Sequence, residues 1–399
     1  MQVGTALVVG VAIACFVAYN IGGATTGPAF GPAVGAEAIS KTGAAALMSV
    51  CFALGAWTLG RRVVTTLGTS LVRDPSVFTL PTSVGVLAFI GGALLVGNLS
   101  GAPASTSMTA VGAIAGLGLA AGELNWTVFA EIAVWWVVSP VAGFWISLVI
   151  GRYLYPYVVR RISIDRSEGP LLGIDRSGSV PRLALAPDST RRELAGTLVV
   201  VGIGCLMAFS SGASNIANAI APLVGSDRLG MDLGILVGSA AVSVGAFTIA
   251  RRTMETLGND IADLPLTAAI VVAVVSSGLV VLLSAIGVPA SFVIISTLSI
   301  AGLGWGRASR SFTVEEAIRG DGTDGVSVDA LAPSGEDPTI AESDRTASAD
   351  ASAATDERPV RDGSLFDPET TIRVVAMQHV VPMLATAGSY ATFRLLLAA

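Results

Sequence analysis

The chain has 399 residues, 52% hydrophobic and 13% charged, with a formal net charge of −6 and a mean hydropathy of +0.73. Soluble domains carry about 25% charged residues, so this composition excludes an ordinary soluble protein. A membrane chain is expected, with lipid as its surroundings and no nucleic-acid partner.

Taken in order, ten apolar runs approach or exceed what a helix needs to cross a bilayer, roughly 20 residues at 1.5 Å each. They cover 3–19, 43–60, 78–96, 104–121, 128–150, 194–209, 233–250, 266–286, 292–303 and 372–397. The predicted fold is an all-α polytopic membrane protein of about ten spans. No Lys or Arg precedes the first run, which reads as a retained span and not as a secretory signal. Cys15, Cys51 and Cys205 all lie in apolar runs, where they read as packing residues.

Five regions follow. Residues 1–151 form a first transmembrane repeat and 152–193 an Arg-rich linker, whose eight Arg place it in the cytoplasm. Residues 194–306 form a second transmembrane repeat, 307–370 an acidic loop, and 371–399 a final transmembrane helix. Counting spans outward from the linker sets both termini outside and leaves 18 of the 23 Lys and Arg inside. The stretch 315–369 holds 15 of the 29 acidic residues and too little apolar surface to offset ordering entropy, so disorder is expected there. Lys41 is the single lysine among 23 basic residues, and acidic, lysine-poor solvent-facing segments suggest a salt-loving host, of haloarchaeal type.

The two repeats share one register. Residues 22–68 match 212–258 at an offset of 190: Gly22 with Gly212, Pro32 with Pro222, Arg61-Arg62 with Arg251-Arg252, and Thr66-Leu67-Gly68 with Thr256-Leu257-Gly258. "GAPASTSMTAVGAIAG" from Gly101 is echoed by "GVPASFVIISTLSIAG" from Gly287. Five spans separate the two starts, so the second copy is expected to be inverted. Inverted repeats with helices interrupted by Gly and Pro are the architecture of secondary transporters. The segments 22–35 and 212–225 are accordingly expected to be broken or re-entrant helices that meet near the midplane.

"SSGASNIANAIAPLVG", residues 210–225, supplies Ser214, Asn215 and Asn218 as hydrogen-bonding groups at membrane depth, where polar residues are tolerated only inside protein or a wet cavity. Ser105 and Thr106 follow Pro103, and Ser291 follows Pro289, at the starts of helices whose first amides stay free for an anion. Hydroxyls and amides without Lys or Arg suit an inorganic oxyanion that must be released. Small residues that merely let helices pack closely are the competing explanation for any one of these serines.

These motifs resemble the inorganic phosphate transporter (PiT) family. "GASNIANAIAPLVG" is similar to the second copy of its signature G-A-N-D-V-A-N-A, and "PASTSMTAVGAIAG" to its P-x-S-T-T-H-x-x-V-G-A motif. The resemblance covers about 1–151 and 194–306. It implies a cation- or proton-coupled symporter, possible homodimer formation, and phosphate held between the signatures. No cofactor is implied beyond a coupling cation, sodium or proton.

Departures from the pattern bear on the substrate. Ser214 stands where the family has Asn, and Asn215 where it has Asp, while Asn218 is kept. In the first copy Ala24, Thr25 and Pro28 occupy the matching places. Both signature carboxylates are therefore missing. A carboxylate accepts a hydrogen bond from protonated phosphate and repels fully ionised sulfate, so its loss moves a site toward sulfate. "NIGGATTGPAFG" also resembles the first signature of the sulfate-permease branch. The substrate-binding set is thus Asn215, Asn218, Ser214, Thr25, Ser105, Thr106 and Ser291, with no metal ligand or catalytic residue. Phosphate symport is the leading function, and sulfate transport is the alternative.

Other classes fit less well. A channel would show charged rings or a filter, which are absent from the sequence. An enzyme would need paired carboxylates or a His/Glu metal cluster within the spans. Glu131 and His379 are the remaining intramembrane ionisable groups; His379 is a candidate proton relay or a partner for a neighbouring helix.

Overall fold

A computed structural model describes residues 2–35, 38–99, 105–162, 172–175, 182–185, 191–260, 266–309 and 368–398. Most of the predicted acidic loop, from 310 to 367, lies outside the described residues.

Apolar runs become helices because a backbone in hydrocarbon must satisfy its own polar groups. In chain order these are α1 Gln2–Gly35, α2 Lys41–Ser70, α3 Leu80–Leu99, α4 Thr106–Ala121 and α5 Trp126–Val149. After them come α6 Arg191–Gly225, α7 Met231–Asp260, α8 Leu266–Ala285, α9 Phe292–Ala308 and α10 Pro368–Ala398. Two π-helical stretches, Ala56–Gly60 and Thr66–Ser70, lie within α2. Another, Ile150–Leu154, carries α5 on to a last helical piece, Tyr155–Ile162.

Not all of the ten runs form helices of full spanning length. Seven described helices are long and apolar enough to span a membrane, and the apolar parts of α3, α4 and α9 are shorter. The 16 residues of α4 extend about 24 Å, short of the roughly 30 Å hydrocarbon core. The linker also adds the one strand pair among the described residues to an otherwise helical chain: Leu172–Asp175 runs antiparallel to Arg182–Leu185.

The helix interruptions fall elsewhere than expected. Both 22–35 and 212–225 are continuous helix, the C-terminal parts of α1 and α6, despite Pro28, Pro32 and Pro222. Each proline deletes one N–H without ending its helix. The Pro222 carbonyl accepts from Ser226 N at 3.1 Å and from the buried Ser83 hydroxyl at 2.7 Å. The breaks come instead before α4 and α9. At the second, Gly287 takes φ +83, a left-handed conformation that glycine adopts without strain, and closes α8.

Glycine sets the tightest contacts, and they come in matched pairs. A methyl carbon added at Gly22 would collide with the Val242 carbonyl oxygen, and one at Gly212 with that of Phe52. Likewise Gly245 abuts the Tyr19 carbonyl and Gly55 that of Phe209. Thus α1 packs on α7 and α2 on α6, backbone against backbone. Gly10 lies against Leu223 while Gly204 lies against Phe30, so α1 and α6 run antiparallel. Phe30, Phe52, Met48 and Ile216 fill this centre and are fully buried. Around it, α4 packs on α10 and α5 on α9.

Candidate functional site

The densest polar network in the described membrane region forms where α6 passes the starts of α4 and α9. Ser105 caps α4, accepting from Met108 N at 3.3 Å, and Ser291 caps α9, accepting from Ile294 N at 3.5 Å. Capping by serine anchors each helix start and leaves the neighbouring amides without intrahelical partners. Both caps are buried, so two helix N-termini with positive dipole ends are held inside the protein.

Between them, α6 contributes Ser211, Ser214, Asn215 and Asn218, which fall on one face through the helical spacing of three and four. The Asn215 carbonyl oxygen accepts from the Thr106 hydroxyl at 2.8 Å, from Asn218 Nδ2 at 3.1 Å and from the Ser107 hydroxyl at 3.5 Å. Its amide nitrogen donates to Ser211 Oγ at 3.1 Å. Ser107 and Ser214 each donate to the Ala290 carbonyl at 3.0 Å, and Ala290 N returns a bond to Ser214 Oγ at 3.2 Å. Three segments far apart in sequence are therefore tied together by uncharged groups. Asn218 is fully buried, and its Oδ1 has no hydrogen-bond partner. A buried orphan acceptor calls for a donor or a cation.

The seven residues predicted from sequence separate into three groups. Asn215, Asn218, Ser214 and Thr106 join one network, and Ser105 and Ser291 cap the helices that complete it. Thr25 stands apart: its hydroxyl bonds the Ile21 carbonyl of its own helix at 2.7 Å. Ser107, Ser211 and the Ala290 backbone belong to the network without having been in the predicted set. The paired "PAS" motifs were the signal for Ala290. Glu131 and His379 are exposed on their helices. Among the described residues no Asp, Glu, Lys, Arg or His hydrogen-bonds to it, and no metal-binding cluster occurs.

Two spaces flank the network along α6. A cleft of about 620 Å³ lies at the C-terminal end, lined by Ser76, Thr79, Ser226, Asp227 and Arg228 among others. A smaller, apolar cavity of about 220 Å³ lies on the other side, between Pro28, Pro32, Met207 and Phe292.

The profile of the phosphate transporter family matches residues 21–328, which includes the whole network. The chain belongs to the phosphate transporter family. Within it, the sulfate permease CysP of Bacillus subtilis (strain 168) is 30% identical over 290 residues, 72% of this chain and 74% of that protein. A Helicobacter pylori (strain J99) protein, provisionally named a phosphate permease, is 28% identical over 372 residues, 76% of this chain and 69% of its own. A solved sodium-dependent phosphate transporter shares the fold at a TM-score of 0.61, covering 98% of this chain and all of its own at 20% identity.

Proposed function

We propose that the protein is a secondary transporter that carries inorganic phosphate across the cell membrane by symport with a cation, sodium or proton. The observation that carries this reading is the buried, uncharged network joining Thr106 and Ser107 to Asn215, Asn218 and Ala290. Tetrahedral oxyanions are held well by several hydroxyl, amide and backbone donors, and without a fixed cation they can leave again. The substrate-binding set is Asn215, Asn218, Ser214 and Thr106, with Ser105 and Ser291 orienting the two helix starts.

The two halves are best understood as inverted repeats. Antiparallel α1 and α6 support this, as do glycine contacts that recur at the sequence offset of 190. Helices α4 and α9, each opened by a buried serine cap, then bring the starts of two matching helices to the network. Opening toward the cleft and toward the apolar cavity in turn would provide alternating access. The Arg-rich linker faces the cytoplasm in this arrangement, with both termini outside.

Sulfate is the second reading. It is favoured by the 30% identity to a sulfate permease and by the absence of any carboxylate from the network. Uptake of labelled phosphate and sulfate into proteoliposomes, each competed with the other under imposed sodium or proton gradients, tests both. Saturable, gradient-driven phosphate uptake is expected. Gradient-independent flux of either anion would sink the symport mechanism.

A further inference from the structure

The entry to α9 is held from outside the network as well as from within it. Trp136 on α5 donates its indole N–H to the Pro289 carbonyl at 2.9 Å, one residue before the carbonyl that Ser107 and Ser214 share. A half-buried indole needs an acceptor, and a carbonyl outside a helix needs a donor, so each meets the other's requirement.

The last helix repeats the pattern of α5. Proline lies inside both, at Pro140 and Pro382. Four residues after the proline, the Phe144 carbonyl abuts Gly302 of α9 and the Thr386 carbonyl abuts Gly116 of α4. Gly116 and Gly302 are themselves matched, as the last residues of the two echoed passages. Seven residues after the proline, Ser147 and Ser389 are both fully buried. Helix α10 therefore stands to α4 as α5 stands to α9. Four residues before the proline come Trp136 in one helix and Gln378 in the other. Gly112 meets Pro382 and Gly116 meets Thr386, so Gln378 lies one turn earlier, level with the first turn of α4.

We propose that Gln378 is a positioning residue for the anion site: it holds the start of α4 as Trp136 holds the start of α9. This rests on the reading that these two helix starts present donors to the substrate. Gln378 is 2% exposed, and an amide carried that deep into an apolar bundle is costly unless it is hydrogen-bonded. Its N–H₂ group supplies the donor that the indole supplies in the other half. The start of α4 carries Thr106 and Ser107, so a small shift there misplaces the hydroxyls that reach Asn215 and Ala290. Acting through the helix starts, Gln378 and Trp136 set the affinity for phosphate and sulfate alike.

Uptake kinetics in proteoliposomes and amide hydrogen exchange in detergent test the pairing. Gln378→Met keeps the length of the side chain and removes its donor; Trp136→Phe keeps a ring and removes its N–H. Each should raise KM for both anions by about threefold to tenfold, the worth of one hydrogen bond. The maximal rate per inserted molecule and the phosphate-to-sulfate ratio should change little. Exchange should quicken at 105–109 in the first variant and at 291–295 in the second, a readout that survives weak insertion. Trp136→Gln, which carries the residue of the matching position, should recover most of the KM lost in Trp136→Phe. Unchanged KM and exchange in Gln378→Met, with both altered in Trp136→Phe, overturn the role of Gln378. A changed phosphate-to-sulfate ratio in Gln378→Met would make it a substrate ligand and overturn the positioning role. If both variants quicken exchange yet leave KM unchanged, the helix starts do not hold substrate, and the reading of the site fails instead.

Discussion

The Thr106 hydroxyl lies 2.8 Å from Asn215 Oδ1, although 109 residues separate them in the chain. That bond joins the start of one short helix to the middle of a long one from the other half of the sequence. It also brings a hydroxyl donor onto the position that the resembled signature fills with an acid.

Asn215→Asp should therefore be structurally tolerated, because the carboxylate meets donors that the amide oxygen already accepts. A charge-assisted hydrogen bond contributes about 1.5–3 kcal/mol, so preference should move toward phosphate by at least about tenfold. Asn218→Ala removes a donor without adding charge and should weaken both anions. Competition between labelled phosphate and sulfate measures each effect, and an unmoved ratio in a well-inserted Asn215→Asp protein would remove Asn215 from the site.

The paired glycine contacts predict paired damage. Gly22→Val and Gly212→Val drive a side chain into the carbonyls of Val242 and Phe52, where backbone cannot yield cheaply. Overpacking of this kind costs roughly 1–3 kcal/mol or more. Gly202→Val has nothing within 4 Å and serves as the control. Thermal unfolding in detergent should show both buried variants destabilised to a similar degree and the control little changed. A large difference between the first two would contradict their equivalence.

Ser107 and Ser214 converge on one carbonyl, that of Ala290, and hold the entry to α9 against α6. Ser214→Ala removes a buried donor and a buried acceptor at once, at a cost of about 1–3 kcal/mol. Faster amide hydrogen exchange at 287–291 is the expected signature, with slower uptake of both anions and little change in their ratio. Unaltered exchange there would mean that Ser107 holds this segment by itself.

Deleting residues 315–366 should leave uptake largely intact, since that acidic stretch has too little apolar surface to build a site. Transport by the shortened protein, corrected for the amount inserted, checks this. Lost uptake at normal insertion would give the segment a direct role.

Composition and apolar run length were enough to identify a multi-pass helical membrane protein, because lipid leaves a backbone few ways to satisfy its polar groups. The 190-residue repeat drew attention to Asn215, Asn218 and Ser214, and the echoed "PAS" passage to Thr106, since polar residues are costly at that depth and stand out against an apolar background. Whether the chain breaks at a proline was not legible locally. Pro28, Pro32 and Pro222 lie in helices that continue inside the packed bundle, where Ser83 on α3 ties down the Pro222 carbonyl. Thr25 matched Asn215 by register, yet its hydroxyl turns back to its own helix. Ser211 and Ala290 joined the network for the opposite reason. One accepts from the Asn215 amide and the other offers only backbone, and neither contact to the network exists until α4, α6 and the entry to α9 are packed together. Sequence specifies which groups lie at membrane depth, while three-dimensional packing decides which of them face one another, because hydrogen bonds depend on distances of a few tenths of an ångström that no spacing along the chain encodes.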